Sequence, residues 1–191
     1  MPTSKRRVIR LGGGGTHDSV TDLPAAYVEI IHRVTNDPTR LSKSWFEGVI
    51  ASGLAETVYV EIVAVIGIVH LVDVFCRTFG IFAPALPAPA SGQPTRNWPV
   101  GAKHLDHWVA TLAPEDLMPG DADIHADSNA ANIYRALSLV PYGVRTFRNL
   151  DEHLYLPAND IFDLETDYRA ISHAQIELIA GRVSANNQCL Y

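Results

Sequence analysis

Apolar residues recur at three- and four-residue spacing along most of this chain, which is the period of an amphipathic α-helix. The first apolar stripe consists of Tyr27, Ile30, Ile31 and Val34. Pro24 suits the first turn of this helix, because a proline there gives up no helical hydrogen bond. The segment Asn36-Asp37-Pro38 interrupts the pattern. The spacing therefore predicts a first helix from about residue 24 to residue 36.

Two further helices are predicted in the first half of the chain. Residues 42–52 have a serine N-cap candidate at their start and Gly53 after their end. Residues 54–79 form a longer helix that Gly80 would stop. The most apolar part of this helix is short for a membrane span, which needs ~20 apolar residues. It also contains polar residues, namely Glu61, His70 and Asp73. We therefore expect a buried core helix.

The second half begins after a break in the pattern. Five prolines between residues 83 and 101 exclude a regular helix there. Helical character returns at about residue 129 and is broken at Pro141, and a further helix covers roughly residues 142–154. Ser172 is a candidate N-cap for a last helix over residues 173–185. Convincing alternating strands are absent, so the predicted fold class is all-α.

Two segments of the chain are similar to each other. Val60-Glu61-Ile62-Val63-Ala64 aligns with Ile176-Glu177-Leu178-Ile179-Ala180, and upstream Ile31-His32-Arg33 aligns with Ile133-Tyr134-Arg135. Each glutamate opens an apolar helix that follows a short helix pair. We therefore predict two related helical repeats. The predicted parts are a flexible lead over 1–22, a first repeat over 23–82, a proline-rich linker and irregular segment over 83–128, and a second repeat over 129–191.

Composition narrows the class of protein. Hydrophobic residues make up 47% of the chain and charged residues 19%, which is ordinary for a globular protein. The formal net charge of −6 argues against nucleic acid or an anionic membrane as partner, because both attract a basic face. Two cysteines form no disulfide framework, and no signal peptide is evident. We expect a cytoplasmic protein whose cysteine chemistry, if any, is catalytic or redox-linked.

The residues that suggest chemistry lie close to the last residue. Glu177 lies on the last predicted helix, and Asn186-Asn187 precede Cys189. Adjacent asparagines readily end one helix and cap the next, which would place Cys189 in the first turn of a new helix. Unpaired amide groups there favour a thiolate. The Glu177 carboxylate can then serve as a proton donor or acceptor.

The spacing of these two residues resembles a known motif. Glu177 and Cys189 stand twelve residues apart within E-L-I-A-G-R-V-S-A-N-N-Q-C-L-Y. This segment resembles the core motif of the AhpD-like alkylhydroperoxidase family, which is related to carboxymuconolactone decarboxylases. The resemblance implies an all-helical homo-oligomer that reduces hydroperoxides with a cysteine pair and no cofactor. It also implies a lipoyl or other dithiol protein as reductant, with Glu177 as a relay acid and Cys189 as the resolving cysteine.

The sequence departs from the family pattern. The family has a second cysteine three residues after the first and a relay histidine four residues further on, and both positions fall beyond Tyr191. We expect either a fragment of a longer protein, which we favour, or a protein that has lost its site. The first repeat supplies no replacement. On the repeat alignment Asp73 and Cys76 occupy the two cysteine positions, and Gly80 occupies that of the histidine. Cys76 is expected to be a buried packing group.

Other interpretations of the same residues stay open. Glu177 could be a surface residue paired with Arg182 or Arg169. The fold could belong to a carboxymuconolactone decarboxylase-like enzyme without redox cysteines, or to a non-catalytic, oligomer-forming helical protein. His70 and Asp73 lie three residues apart on one helical face, but a metal site needs three or four converging ligands. We predict a satisfied polar cluster there and no metal.

Overall fold

The structure is a computed structural model that describes residues 7–10, 16–19, 22–88, 90–125, 132–157 and 159–189. Six α-helices lie in this part of the chain: α1 (Ala25–Asn36), α2 (Lys43–Ala51), α3 (Glu56–Phe79), α4 (Asn132–Arg135), α5 (Pro141–Leu154) and α6 (His173–Asn186). Three 3-10 helices accompany them: Pro38–Arg40, Pro114–Asp116 and Pro119–Asp121. The predicted all-α fold class is confirmed. The two-repeat arrangement and its boundaries stay predictions.

A short hairpin precedes the helices. Strand β1 (Arg7–Arg10) pairs with strand β2 (Thr16–Ser19) in antiparallel register, with Arg7 opposite Ser19. The sequence showed no convincing alternating pattern in this region, so the hairpin is a local element that it did not predict. Each strand has only four residues, which are too few to show a clear alternation of apolar and polar positions. Glycines and charged residues next to the strands obscure the pattern further.

The helix ends follow the capping signals of the sequence. The Ser42 hydroxyl accepts a hydrogen bond from the Trp45 amide at 3.2 Å and so caps α2. Ser172 and Gln175 form a reciprocal capping box at the start of α6. Gly80 ends α3 with a φ of 64°, a left-handed conformation that glycine adopts without steric cost. These caps explain why the predicted bounds of α2, α3 and α6 are correct to within about two residues.

One core joins the two halves of the chain. It is formed by α1, α2, the N-terminal half of α3, the irregular segment 109–124 and residues 134–144. The largest fully buried side chains are Ile30, Leu112, Ile124, Leu139 and Leu156. The α3 and α5 backbones approach closely where Ala64 faces Gly143, because a Cβ added at Gly143 would lie 3.0 Å from the Ala64 Cβ.

The irregular segment is part of this core, although the sequence suggested only a connection. The buried Ser138 hydroxyl accepts from the Leu112 amide at 2.8 Å and donates to the Arg135 carbonyl at 2.6 Å. His125 Nε2 lies 2.9 Å from the Leu112 carbonyl oxygen. Side chains thus satisfy backbone groups that a helix would pair internally. The hydrogen bond from the Ser138 hydroxyl to the Arg135 carbonyl also competes with the backbone bonds that would continue the helix. Helix α4 ends at Arg135, earlier than predicted.

Helix α3 is less buried than the sequence suggested. Apart from Cys76, its buried residues cluster in the N-terminal half, whereas Val65, Val69 and Phe79 are exposed. The expectation of a buried core helix is therefore wrong for the second half of α3. Among the described residues, α3 is also the one helix long and apolar enough to cross a membrane by length and composition, and 17% of its apolar window is buried. A core helix can pass the same test.

The Ala64–Gly143 contact leads to a prediction about the free energy of unfolding. We expect Gly143→Ala to reduce the free energy of unfolding by about 1–3 kcal/mol, because the added methyl overpacks the interface between α3 and α5. Gly67→Ala, on α3, is the matched control, since a Cβ there meets nothing within 4 Å. It should stabilise by about 0.5–1 kcal/mol through helix propensity. Urea unfolding measures both values, and equal stabilisation by the two changes would contradict the packing argument.

Candidate functional site

Glu177 lies at the centre of a hydrogen-bonded group on α6. Tyr155 follows the last residue of α5, and its hydroxyl donates a short hydrogen bond to Glu177 Oε1. The Glu177 side chain is 40% exposed, so the carboxylate is anchored on one side and reaches solvent on the other. The structure thus gives this predicted site residue a defined orientation.

His173 is the second partner of this carboxylate. Its side chain is only 1% exposed, and its Nε2 lies 3.4 Å from Glu177 Oε1. On the other edge of the ring, Nδ1 lies 2.8 Å from the Asp163 carbonyl oxygen. The His173 amide donates to Asp167 Oδ1 at 2.9 Å. His173 is not one of the two predicted site residues, Glu177 and Cys189, although its four-residue spacing from Glu177 on a helix is a signal for such a contact.

Arg169 takes a role different from the one considered above. Its guanidinium donates to the Tyr155 carbonyl at 3.0 Å and to the Glu152 carbonyl at 2.9 Å. These carbonyls lie at the C-terminal end of α5, where cations are stabilising. The recorded partners of Glu177 are Tyr155 and His173, so the alternative of a surface pair with Arg169 does not describe this carboxylate. Arg169 instead fixes the backbone that carries Tyr155.

Burial and the neighbouring carboxylate together shift the titration of Tyr155. Burial raises the pKa of the Tyr155 hydroxyl above its ordinary value, and the hydrogen bond to Glu177 and its negative charge raise the same pKa further. Tyr155 therefore stays a phenol that donates to Glu177 throughout the neutral range.

Cys189 lies immediately after α6, in the turn that ends the helix. Gln188 has a φ of 54°, and the Cys189 amide donates to the Ser184 carbonyl at 3.0 Å. This is the hydrogen-bonding pattern of a Schellman motif. The thiol-bearing residue is exposed. The expectation that its amide is unpaired in the first turn of a new helix is wrong, because that amide caps α6.

The structure does not bring Glu177 and Cys189 into contact. Nine residues of α6 separate Glu177 from Asn186, which corresponds to about 13 Å along the helix axis. The Glu177 side chain is held by Tyr155 and by His173, one turn closer to the N terminus. Any proton transfer between Glu177 and the Cys189 thiol therefore needs an intervening group. Cys76 is buried at 5% exposure, as predicted, and forms no disulfide.

Two surface cavities contain residues that the sequence or the site geometry singles out. A cleft of about 410 Å³ beside the Glu177 group is lined by His153, Leu154, Tyr155, Arg169, Ile171, Ile176, Ile179 and Ala180. A mainly apolar groove of about 570 Å³ between α1 and α3 includes Glu61, His70 and Asp73 in its wall. Asp73 forms an ion pair with Arg77 at 2.9 Å, one turn further along α3. No group of three metal-binding side chains occurs within the described ranges.

The fold and site define an all-α protein in which Glu177 and His173, on the last described helix, meet Tyr155 from the end of α5, and an exposed cysteine follows that last helix. Comparison with known proteins adds nothing to this description, because no family model, curated protein or solved structure matches the chain.

The link between Tyr155 and Glu177 can be tested by titration. We expect Glu177→Gln to lower the pKa of Tyr155, because the substitution removes the negative charge and weakens the hydrogen bond that raise it. Folding raises the pKa of Tyr155, so the pair stabilises the folded protein below about pH 10, the pKa of tyrosine in the unfolded chain. This stabilisation is lost as the pH rises through the pKa of Tyr155 in the folded protein. Carbon-13 NMR of the tyrosine ring carbons measures the titration.

Tyr134 supplies the internal control for that experiment. Its pKa is raised by burial and by a hydrogen bond to Asp151, independently of Glu177. The titration of Tyr134 should not change in the Glu177→Gln variant. A Tyr155 titration that is also unchanged would show that the short hydrogen bond is absent in solution.

Proposed function

We propose that this chain carries part of a thiol-dependent peroxidase site of the AhpD-like type, formed by Cys189 and Glu177. The main support is the placement of Glu177. Its carboxylate is fixed by Tyr155 and His173 on the same helix whose last turn presents the exposed Cys189. A half-buried carboxylate held in one orientation can relay protons, and an exposed thiol can react with a dissolved oxidant. The motif resemblance supplies the reaction class.

The proposed reaction consumes an organic hydroperoxide and a dithiol. A thiolate attacks the terminal oxygen, the O–O bond breaks, and the alcohol leaves after it gains a proton. The sulfenic acid that remains condenses with a second thiol, which releases water and forms a disulfide. The dithiol reductant then restores the thiols and becomes a disulfide itself. In the complete cysteine pair, Cys189 would be the thiol that resolves the sulfenic acid.

The 191-residue chain contains two cysteines, Cys76 and Cys189. Since Cys76 is buried, the external dithiol takes the part of the second thiol in this chain. Cys189 is then oxidised by the hydroperoxide, and the reductant resolves the sulfenic acid. Glu177 acts as a relay acid through an intervening group, because it lies too far from Cys189 for direct proton transfer. The proposed setting is the cytoplasm, where thiols are kept reduced.

A peroxide-consumption assay tests this proposal. We expect the purified chain to consume an alkyl hydroperoxide only when a dithiol is present, and Cys189→Ala to abolish that turnover. Cys76→Ala is the matched control and should retain it, since the buried thiol does not take part. Glu177→Gln should slow the reaction by roughly 10²-fold, the lower end for loss of an acid–base group. No dithiol-dependent turnover, or turnover that survives Cys189→Ala, would sink the proposal.

The same variants separate the two alternatives. A carboxymuconolactone decarboxylase-like enzyme would retain activity on a carboxylated lactone in the variant that lacks both cysteines. A non-catalytic helical protein would show neither activity.

We also propose that the protein assembles as a homo-oligomer. The support is the apolar surface of α6, where Leu178, Ile179 and Val183 are 74%, 55% and 54% exposed. A group of large, exposed apolar side chains on one helix commonly marks a surface that binds another protein.

Sedimentation velocity tests the assembly. We expect the unmodified protein to sediment as an oligomer, and Ile179→Ser combined with Val183→Ser to shift it toward the monomer. Arg182→Ser is the matched control, because it changes an exposed polar residue on the same helix and should leave the distribution unchanged. A monomer at all accessible concentrations would contradict the proposal.

A further inference from the structure

The ring of His173 has a defined orientation. Its Nδ1 lies 2.8 Å from the Asp163 carbonyl oxygen, which can only accept a hydrogen bond. Nδ1 must therefore carry a hydrogen. The side chain is 1% exposed, so solvent does not offer a competing partner. The neutral form of this imidazole is accordingly the Nδ1–H tautomer, which leaves Nε2 as a bare acceptor.

The bare acceptor faces another acceptor. Nε2 lies 3.4 Å from Glu177 Oε1, which is an ion-pair distance, and it makes no aligned hydrogen bond with any described group, Glu177 included. Two lone pairs would repel each other at this distance, and a buried polar atom without a partner is unfavourable. A proton on one of the two atoms removes this repulsion, and an imidazolium at Nε2 is attracted to the carboxylate as an ion pair.

We propose that His173 is the positioning residue of Glu177 and that this pair of side chains holds one shared proton, on either Nε2 or Oε1. Tyr155 donates to the same Oε1 from the α5 side, so this oxygen is held from both directions. Oε2 is then the carboxylate atom that exchanges protons with solvent or with a relay partner. For its effect on turnover this inference rests on the proposed peroxidase function, whereas the shared proton does not depend on it.

The charged groups around His173 decide whether a proton can stay there. His173 is the first residue of α6, where the helix dipole opposes a positive charge. Two carboxylates oppose that effect, because Glu177 faces the ring and Asp167 accepts from the His173 amide at 2.9 Å. The Asp163 carboxylate accepts from the Tyr168 hydroxyl instead, at 2.7 Å. Both the imidazolium–carboxylate form and the neutral imidazole–carboxylic acid form satisfy Nε2 with a single proton.

Nitrogen-15 NMR of the histidine rings, together with carbon-13 NMR of the Glu177 carboxyl group, tests the proposal in the full chain at pH 7. We expect either a protonated Nε2 or a protonated Glu177 carboxyl group. In Glu177→Gln the proton should be lost and His173 should shift to the neutral Nδ1–H tautomer, because the amide can donate to Nε2. His153 is the matched control. Its Nδ1 also lies near a carbonyl, that of Asn149 at 2.6 Å, but the residue is exposed. Its resonances should not change.

A bare Nε2 opposite an ionised Glu177 at the same pH would overturn the proposal. Because Glu177→Gln keeps the buried His173 ring, this test does not require a protein that tolerates a substitution at His173. The peroxidase assay is read separately. An unmodified protein that shows the shared proton but no dithiol-dependent turnover would overturn the proposed function and not this inference. If both hold, His173→Gln should lower kcat several-fold with little change in KM, because the residue acts through Glu177.

Discussion

The close packing of α3 against α5 is the contact on which the rest of the structure depends. Ala64 and Gly143 let the two backbones approach, and the side chains around them join the first three helices to the second half of the chain. Because α5 is fixed in this way, its C-terminal end is fixed too. Tyr155, the next residue, is therefore presented to α6 from a rigid support, and Arg169 holds the carbonyls at that point.

Helix α6 depends on a few specific contacts and little on the main core. Its buried residues are His173 and Ile176, and its outer surface carries exposed apolar side chains. A helix packed so lightly is oriented by polar contacts at its N-terminal end, namely the capping box and the bonds of His173 and Glu177. The same contacts orient the Glu177 carboxylate, so they determine both the stability of α6 and the geometry of the candidate site.

The tertiary structure changes how the candidate site can work. The sequence suggested a thiol favoured by a helix N terminus, with a carboxylate folding back toward it. Cys189 instead lies at the C-terminal end of α6, where the helix dipole is negative. Electrostatic activation of the thiol therefore has to come from groups other than the α6 backbone. Glu177 lies remote from this thiol, and its carboxylate is oriented by Tyr155 and His173.

The sequence by itself determined the positions of most helices and the ends of α2, α3 and α6. Proline, glycine and serine signals act over one turn of chain, and such local effects are visible in a linear pattern, as at Ser42, Gly80 and Ser172. It also singled out Glu177 and Cys189 and predicted the burial of Cys76. Only the tertiary structure decided which side chains meet. The Tyr155–Glu177 bond joins residues 22 positions apart, and Leu112 meets Ser138 across 26. Such contacts follow from packing, which no local spacing encodes, and the same is true of the exposed second half of α3.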